Sequence, residues 1–403
     1  MQKKKLVVIG GGAAGFFCAV NAARQNANLE VIIVEKTGKL LSKVKISGGG
    51  RCNVTNACFS ISEMIKKYPR GEIFLKQSFH HFFTTDTIEW FQKRHVQLKT
   101  EADGRIFPES NSSENIINCL LSEANKFNVQ ILMNYEVMKI ENECSGNGIN
   151  SFQLFFKDGL VFQSDFVCIA CGGYQKEDQY KWITNLGHAF EKPYPSLFTF
   201  NISKGSITEL MGISVENVQV KINGAKLSQT GPVLITHWGF SGPAILKLSA
   251  FAAKELSNLQ YHFSISINWV STYNENSLLE KFRLLRGALA SKKMINKNPF
   301  NLPNRLWQYH LNLCAIGEEI RLADLPAKQQ NLLVKQLCSQ QFTVTGKTTF
   351  KEEFVTAGGI KLNEVEANTM ASKIVSNLFF VGEIIDVDGI TGGFNFQHAW
   401  TSG

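Results

Sequence analysis

The sequence predicts an α/β chain in two parts: a discontinuous domain built on a parallel sheet, and an inserted β-rich plus helical domain. Three observations carry this. Residues 6–34 read as strand, glycine turn, helix and strand. From about Tyr194 the pattern changes to alternating strands, and then to a helical stretch rich in Lys, Arg and Leu. After Thr343 the glycine-punctuated apolar style of the first part returns. The expected boundaries are 1–193 with 343–403 for the discontinuous domain and 194–342 for the insert. Within the insert, 194–272 reads as barrel-like β structure and 273–342 as helical.

Each element follows from its pattern. Leu6–Ile9 and Glu30–Val34 are continuous apolar runs, as buried parallel strands require. Ala13–Gln25 between them reads as a helix. Residues 60–128 show mostly helical periodicity, with short strands expected at Val129–Leu132 and Val137–Glu141. Lys157-Asp158-Gly159 is a hairpin turn between Phe152–Phe156 and Leu160–Phe162. Phe166–Ala170 is a further buried strand. In the insert, Val215–Ile222 and Tyr261–Ile267 alternate as strands, and Pro243–Leu256 reads as one helix. Leu378–Val381 reads as a strand, and a last helix begins at Asn395.

Bulk properties exclude several classes. The chain has 403 residues, 44% hydrophobic and 19% charged, an ordinary globular composition. Lys3-Lys4-Lys5 before an apolar run imitates a secretory signal, but three consecutive glycines break the run. No stretch approaches the ~20 apolar residues of a membrane span. Nine cysteines without regular spacing form no disulfide framework and suit the cytoplasm. The net charge is +8, but no block of five like charges occurs, so a nucleic-acid partner is not expected.

Gly10, Gly12 and Gly15 fit the G-x-G-x-x-G turn of a Rossmann-type fold. Gly10 permits the tight turn, Gly12 the approach of a diphosphate, and Gly15 close helix packing. Ala13 and Ala14 open the helix, whose free N–H groups and partial positive charge face the anion. Glu35 ends the next strand, with Lys36 after it, and is placed to accept from ribose hydroxyls. A carboxylate there repels a 2′-phosphate. Gly346-Lys347-Thr348 is no ATPase phosphate loop, because Gln341 stands where the first glycine is needed.

The turn alone does not separate NAD from FAD. Further motifs run in order along the chain: Ser47-Gly48-Gly49-Gly50-Arg51-Cys52-Asn53 with Thr55-Asn56, Asp103-Gly104-Arg105-Ile106-Phe107-Pro108, and Thr236 to Pro243. Thr356-Ala357-Gly358-Gly359-Ile360, Gly382 to Gly389 and Thr391-Gly392-Gly393-Phe394-Asn395 complete them. Together they resemble a bacterial family of NAD(P)/FAD-dependent oxidoreductases that includes BaiN-like reductases and aminoacetone oxidase-like flavoproteins.

The resemblance implies FAD and assigns roles. Gly49, Gly50, Arg51, Cys52 and Asn53 would wrap flavin and diphosphate, with Arg51 neutralising phosphate charge. Val137 would meet the adenine through its backbone. Cys171, Gly172 and Gly173 would lie under the cofactor, Cys171 replacing the family's usual threonine. Gly382 and Glu383 would flank the ribityl chain. Gly393, Phe394 and Asn395 would aim a helix N-terminus at the flavin pyrimidine edge. His398 stands where an apolar residue is usual.

The expected reaction is hydride transfer from NAD(P)H, through flavin N5, to a small organic acceptor such as an enone or imine. No second dinucleotide turn exists, so NAD(P)H would be a transient donor using the chamber formed by the insert. An oxidase of amines or ketones and an RNA-associated flavoprotein are the alternatives. The residues name no catalytic group, metal site or oligomeric state. Cys168 and Cys171, three apart on a strand, point to opposite faces and read as buried small residues. His237 and Arg105 have substrate-facing and structural readings alike. Lys281, Arg283, Arg286, Lys292, Lys293 and Lys297 give the insert a basic face.

Overall fold

The structure, a computed structural model, describes residues 3–144, 150–349 and 355–403. Two compact units result: Met1–Ser196 with Lys351–Gly403, and Leu197–Phe350.

The first unit is organised by a five-stranded parallel sheet, in the order Leu378–Phe380, Phe166–Ile169, Lys4–Ile9, Leu29–Glu35 and Gln130–Met133. Register places Ile9 between Ile169 and Val34, so the strand carrying the glycine turn is central. Val7, Val8, Ile33, Val167 and Leu378 are fully buried, which accounts for the unbroken apolar runs. Helix Ala13–Gln25 buries Phe16, Phe17, Ala19 and Val20. Phe17 packs at 4.7 Å from Trp90 and 5.4 Å from Trp400, which seats the last helix, Phe394–Ser402, beside the first. Residues 60–128 also hold two strands that helical periodicity conceals. Leu98–Thr100 and Arg105–Pro108 pair antiparallel, and the latter pairs with Thr55–Asn56.

The second unit is a closed barrel in the order Thr199–Ile202, Gly239–Ser241, Ser228–Thr236, Ser214–Ile222, Phe263–Asn268 and Gln340–Thr348. Val218, Val220, Val233, Ile235, Ile265 and Ile267 fill it. Helices Glu275–Ala288, Asn304–Leu313 and Ala327–Ser339 extend its core through Leu278, Phe282, Trp307 and Leu337. Asn274 and Ser277 form a reciprocal cap at 2.9 Å each, which starts the first of them.

Two expectations are corrected. The first part does not resume at 343, because Gln340–Thr348 alternates and buries Val344 to close the barrel. Gly346 imitates the glycine punctuation of the other unit. Pro243–Leu256 is two helices, Pro243–Phe251 and Ala253–Asn258, broken at Ala252.

Candidate cofactor site

The glycine turn is forced by its packing. Gly10 has φ +118°, and a Cβ there would strike the Ala170 carbonyl. A Cβ at Gly15 would strike the Gly10 carbonyl, so close contact of helix and strand requires glycine. Gly12 differs: a Cβ on it would meet nothing within 4 Å. It caps helix Ala13–Gln25 with no side-chain hydrogen bond, and no acid stands in the first turn, Ala13 and Ala14 included. The helix N-terminus therefore faces open space with its positive end uncompensated.

Glu35 closes one side of the turn. Its Oε2 accepts from Gly11 N at 2.9 Å, and its Oε1 accepts from Thr37 N and Oγ, each at 2.9 Å. The carboxylate is thus held at the strand end with lone pairs remaining. Tyr135 N donates to Glu35 O at 2.9 Å, which brings Val137 to the same end of the sheet. Lys36 lies 5.6 Å over the Tyr174 ring.

Gly48, Gly49 and Gly50 are all left-handed, at φ +59°, +70° and +84°. A Cβ at Gly48 would crowd Phe107 at 2.9 Å, whereas Gly49 and Gly50 face open space. Gly172, at φ +75°, is likewise open, but Gly173 is a packing glycine whose Cβ would lie 2.7 Å from Thr356. Four glycines from three segments (Gly12, Gly49, Gly50 and Gly172) thus expose bare backbone. Cys52 is held left-handed at φ +60°, which is strained for a residue with a side chain.

Arg51 is engaged by the protein. Its Nη1 pairs with Glu101 at 2.6 Å, and its guanidinium lies 4.0 Å over Phe107. Arg105 completes the cluster, pairing with Glu101 at 3.0 Å and Asp103 at 2.7 Å. A phosphate at Arg51 competes with Glu101.

The last helix is fixed by side chains from distant segments. Tyr68 Oη donates to Phe394 O at 2.7 Å, and Trp400 Nε1 donates to Val54 O at 2.9 Å. Gln397 Oε1 accepts from Thr55 and Thr87 at 2.5 and 3.0 Å. Asn395 grips the Gly389 backbone, accepting from its N at 2.8 Å and donating to its O at 2.9 Å. With its amide oriented to satisfy both partners, Asn53 accepts from Gly393 N at 2.9 Å and donates to Thr55 O at 3.0 Å. These bonds hold the Gly393–Phe394 helix start against the Gly49–Asn53 loop.

Gly382 sits between the first and last helices. A Cβ on it would lie 2.7 Å from Ala14. Its N donates to Ser402 Oγ at 2.9 Å, and His398 Nε2 donates to its O at 3.1 Å. Burial pushes His398 down to about 4, and its Nδ1 has no partner among the described residues. Glu383 accepts from Thr356 N at 2.8 Å and pairs with Lys43.

Beside this segment, Asp388 is fully buried against Arg70 and accepts from Ser196 Oγ at 2.8 Å. Burial lifts Asp386 to about 6; Arg70 opposes the rise, and Asp388 and Glu191 add to it. Its carboxyl is therefore easier to protonate than that of an ordinary aspartate, though Gly358 N donates to it at 3.1 Å.

Two thiols of the expected cofactor segments are poor nucleophiles. Burial pushes Cys52 up to about 12 and Cys171 up to about 11. Cys168 instead approaches Cys18, Sγ to Sγ 3.6 Å, a neighbour that strand geometry alone does not reveal. His237 is exposed in the barrel unit with its ring against Trp238. Tyr68, Gln397 and Lys43 carry no motif signal of their own; Thr55 lies in a motif, but its bond to Gln397 is not visible in it.

Open glycine backbone, an uncompensated helix N-terminus and a ribose-ready acid fit an extended dinucleotide, and Gly12, Gly49, Gly50 and Gly172 would line it. Fold and site together define an FAD-dependent oxidoreductase of Rossmann type. The chain belongs to the HI0933-like family, whose Rossmann-domain model matches residues 4–403. It is 28% identical to the ribosomal RNA dihydrouridine synthase of Escherichia coli, over 100% of this chain and 96% of that one. It is 25% identical to the 3-dehydro-bile acid delta(4,6)-reductase of Clostridium scindens, over 99% and 97%. The 3-ketosteroid delta1-dehydrogenase of Sterolibacterium denitrificans shares the fold, with a TM-score of 0.52, 10% identity and 99% of each chain covered. Among the described residues, no helix is long and apolar enough to cross a membrane.

Proposed function

We propose that this protein is an FAD-dependent reductase that saturates a carbon–carbon double bond conjugated to a carbonyl, with uracil in ribosomal RNA as the acceptor and NAD(P)H as the transient donor. When bound, FAD supplies the chemistry that accepts a hydride from one partner and delivers it to the next. The residues bind and orient. Gly12 and the Ala13–Gln25 N-terminus hold the diphosphate, and Glu35 holds a ribose. The N-terminus of Phe394–Ser402 stabilises negative charge beside it.

The observation that carries the cofactor reading is the set of four open glycines on three segments. The acceptor class is supported by the two relatives' names. Dihydrouridine is uridine with its conjugated double bond saturated, and the bile-acid enzyme is named as a delta(4,6)-reductase. RNA rather than a steroid is supported by charge. Residues 197–350 hold 16 Lys and Arg against 8 Asp and Glu, so the entire +8 lies there, and the rest balances at 26 each.

The test is anaerobic reduction of the purified flavoprotein by NADH or NADPH, followed by ribosomal RNA and mass analysis of its nucleosides. Dihydrouridine is the expected product. Absence of bound flavin, or no reduction by either nicotinamide, sinks the reading. Reduction by an amine with peroxide released in air would establish the oxidase alternative instead.

A further inference from the structure

We propose that the 197–350 unit docks RNA phosphates on a platform made by its paired loops at 290–297 and 317–328. The proposal rests on the RNA reading above and extends it from the reacting base to the surface that holds the backbone.

The platform is built from hydrogen bonds. Met294 N donates to Ile320 O at 2.9 Å, Leu322 N to Lys292 O at 3.0 Å, and Ala323 N to Ala290 O at 3.2 Å. Lys293 and Arg321 face each other across this ladder as an antiparallel bridge. Buried Trp307 donates to Met294 O at 2.8 Å. Arg286 ties the second loop to the helices, donating to Gln330 at 3.0 Å and to the Ala323 and Leu325 carbonyls. Lys293 is neutralised by Glu319 at 2.6 Å.

Lys292, Lys297, Arg321 and Lys328 remain, all exposed and with no side-chain acceptor among the described residues. Glu318 and Asp324 are the acids left near them. Across the described part of 197–350, only Arg283 and Lys293 pair with a carboxylate. Uncompensated like charges repel and weaken their own unit. A polyanion removes that repulsion and gains entropy from released counterions. A neutral enone draws nothing from such a surface.

The experiment measures binding of FAD-loaded, full-length protein to a ribosomal RNA fragment by fluorescence anisotropy from about 50 to about 200 mM salt. The quadruple variant Lys292→Gln, Lys297→Gln, Arg321→Gln, Lys328→Gln is expected to bind about 10–100-fold more weakly, with a log–log salt slope shallower by about 3. A reference variant removes equal charge from the other unit: Lys66→Gln, Lys93→Gln, Lys157→Gln, Lys181→Gln. It is expected to bind as wild type does. Bound-flavin absorbance and circular dichroism verify that both variants fold. Equal weakening in both variants, or no weakening in the first, overturns the docking surface. So does wild-type binding to vesicles of anionic phospholipid but not to RNA. Wild type that binds RNA through these residues yet forms no dihydrouridine sinks the acceptor reading and leaves the surface standing. Dihydrouridine formation with unchanged binding in the quadruple variant sinks the surface alone.

Discussion

In the unit formed by 1–196 and 351–403, polar side chains are buried and bonded to one another or to backbone around the candidate cofactor site. Asn53, Thr55, Gln397, His398 and Asp388 are all at most 9% exposed. Cations there pair with acids, as in Arg51–Glu101, Arg94–Glu123 and Arg70–Asp388. In 197–350 the interior is a continuous apolar cluster, and most charge stays outside it. One unit uses polarity to fix a shape, and the other keeps it available at the surface. The same substitution should therefore do far more damage in the first.

Glycine is the sharpest case. Gly10→Ala places a side chain into the Ala170 carbonyl at φ +118°, and the turn has no room to shift. The purified variant is expected to carry no flavin absorbance. Gly224→Ala in the barrel unit also has a positive φ, +83°, but a Cβ there meets nothing within 4 Å. Its cost is the left-handed conformation alone, about 1 kcal/mol by denaturant unfolding, with flavin retained. Equal losses at the two positions would break the comparison.

Charge gives the next contrast. Arg70→Met leaves Asp388 fully buried without its cation. Removing one partner of a buried pair typically costs about 3–5 kcal/mol. Arg283→Ala removes a pair on a side chain 76% exposed and should change stability by less than about 1 kcal/mol. Denaturant midpoints of the two variants check both values.

The local parts of this design were legible in sequence. Gly10 to Gly15 and Glu35 lie within one strand–helix–strand unit, so their spacing encodes their geometry. The fastening of the last helix was not. Tyr68 to Phe394, Thr55 to Gln397 and Asn53 to Gly393 join segments more than 300 residues apart, and ordinary Tyr, Thr and Gln residues make the bonds. Arg51 was expected to be free for phosphate, because spacing does not show that Glu101 returns to it through a short antiparallel sheet. The basic stretch of the insert was visible. Side-chain contacts separate its members: Arg286 is bonded to Gln330 and Lys293 is paired with Glu319, whereas Lys292 and Lys297 are open to solvent.

A histidine buried in each unit responds to pH in the same direction and for the same reason, burial, but the two differ in the bonding of their ring nitrogens. His310 lies in the apolar core of 197–350 with neither ring nitrogen bonded among the described residues, and burial pushes it down to about 3. An unfolded chain takes up this proton near the ordinary 6.5, so the folded state is favoured above that pH. The stability is lost as pH falls from about 6.5 toward 3, by on the order of 2–4 kcal/mol. His310→Leu fills a similar volume without unsatisfied nitrogens. It should flatten the pH dependence of this unit's unfolding and leave stability at pH 7 equal or higher. A variant less stable at pH 7 with unchanged pH dependence would show that His310 has a partner.

His398 is depressed to about 4 by burial, but one of its nitrogens is in use. Its Nε2 holds the Gly382 carbonyl while Ser402 takes the Gly382 N–H, so both peptide groups flanking the Gly382 Cα are held beside Ala14. Stability from neutral His398 is likewise present above about 6.5 and lost as pH falls toward 4, because Nδ1–H would find no acceptor. His398→Leu should differ from His310→Leu in kind. It removes a donor from a buried carbonyl, worth about 1 kcal/mol, and should weaken FAD retention by roughly 5–10-fold. His398→Gln, which can donate to the same oxygen, should restore most of it. The readout is the Kd of FAD by flavin fluorescence. Equal retention in the Leu and Gln variants would mean that His398 serves only to fill space, as the apolar residue usual at this position would.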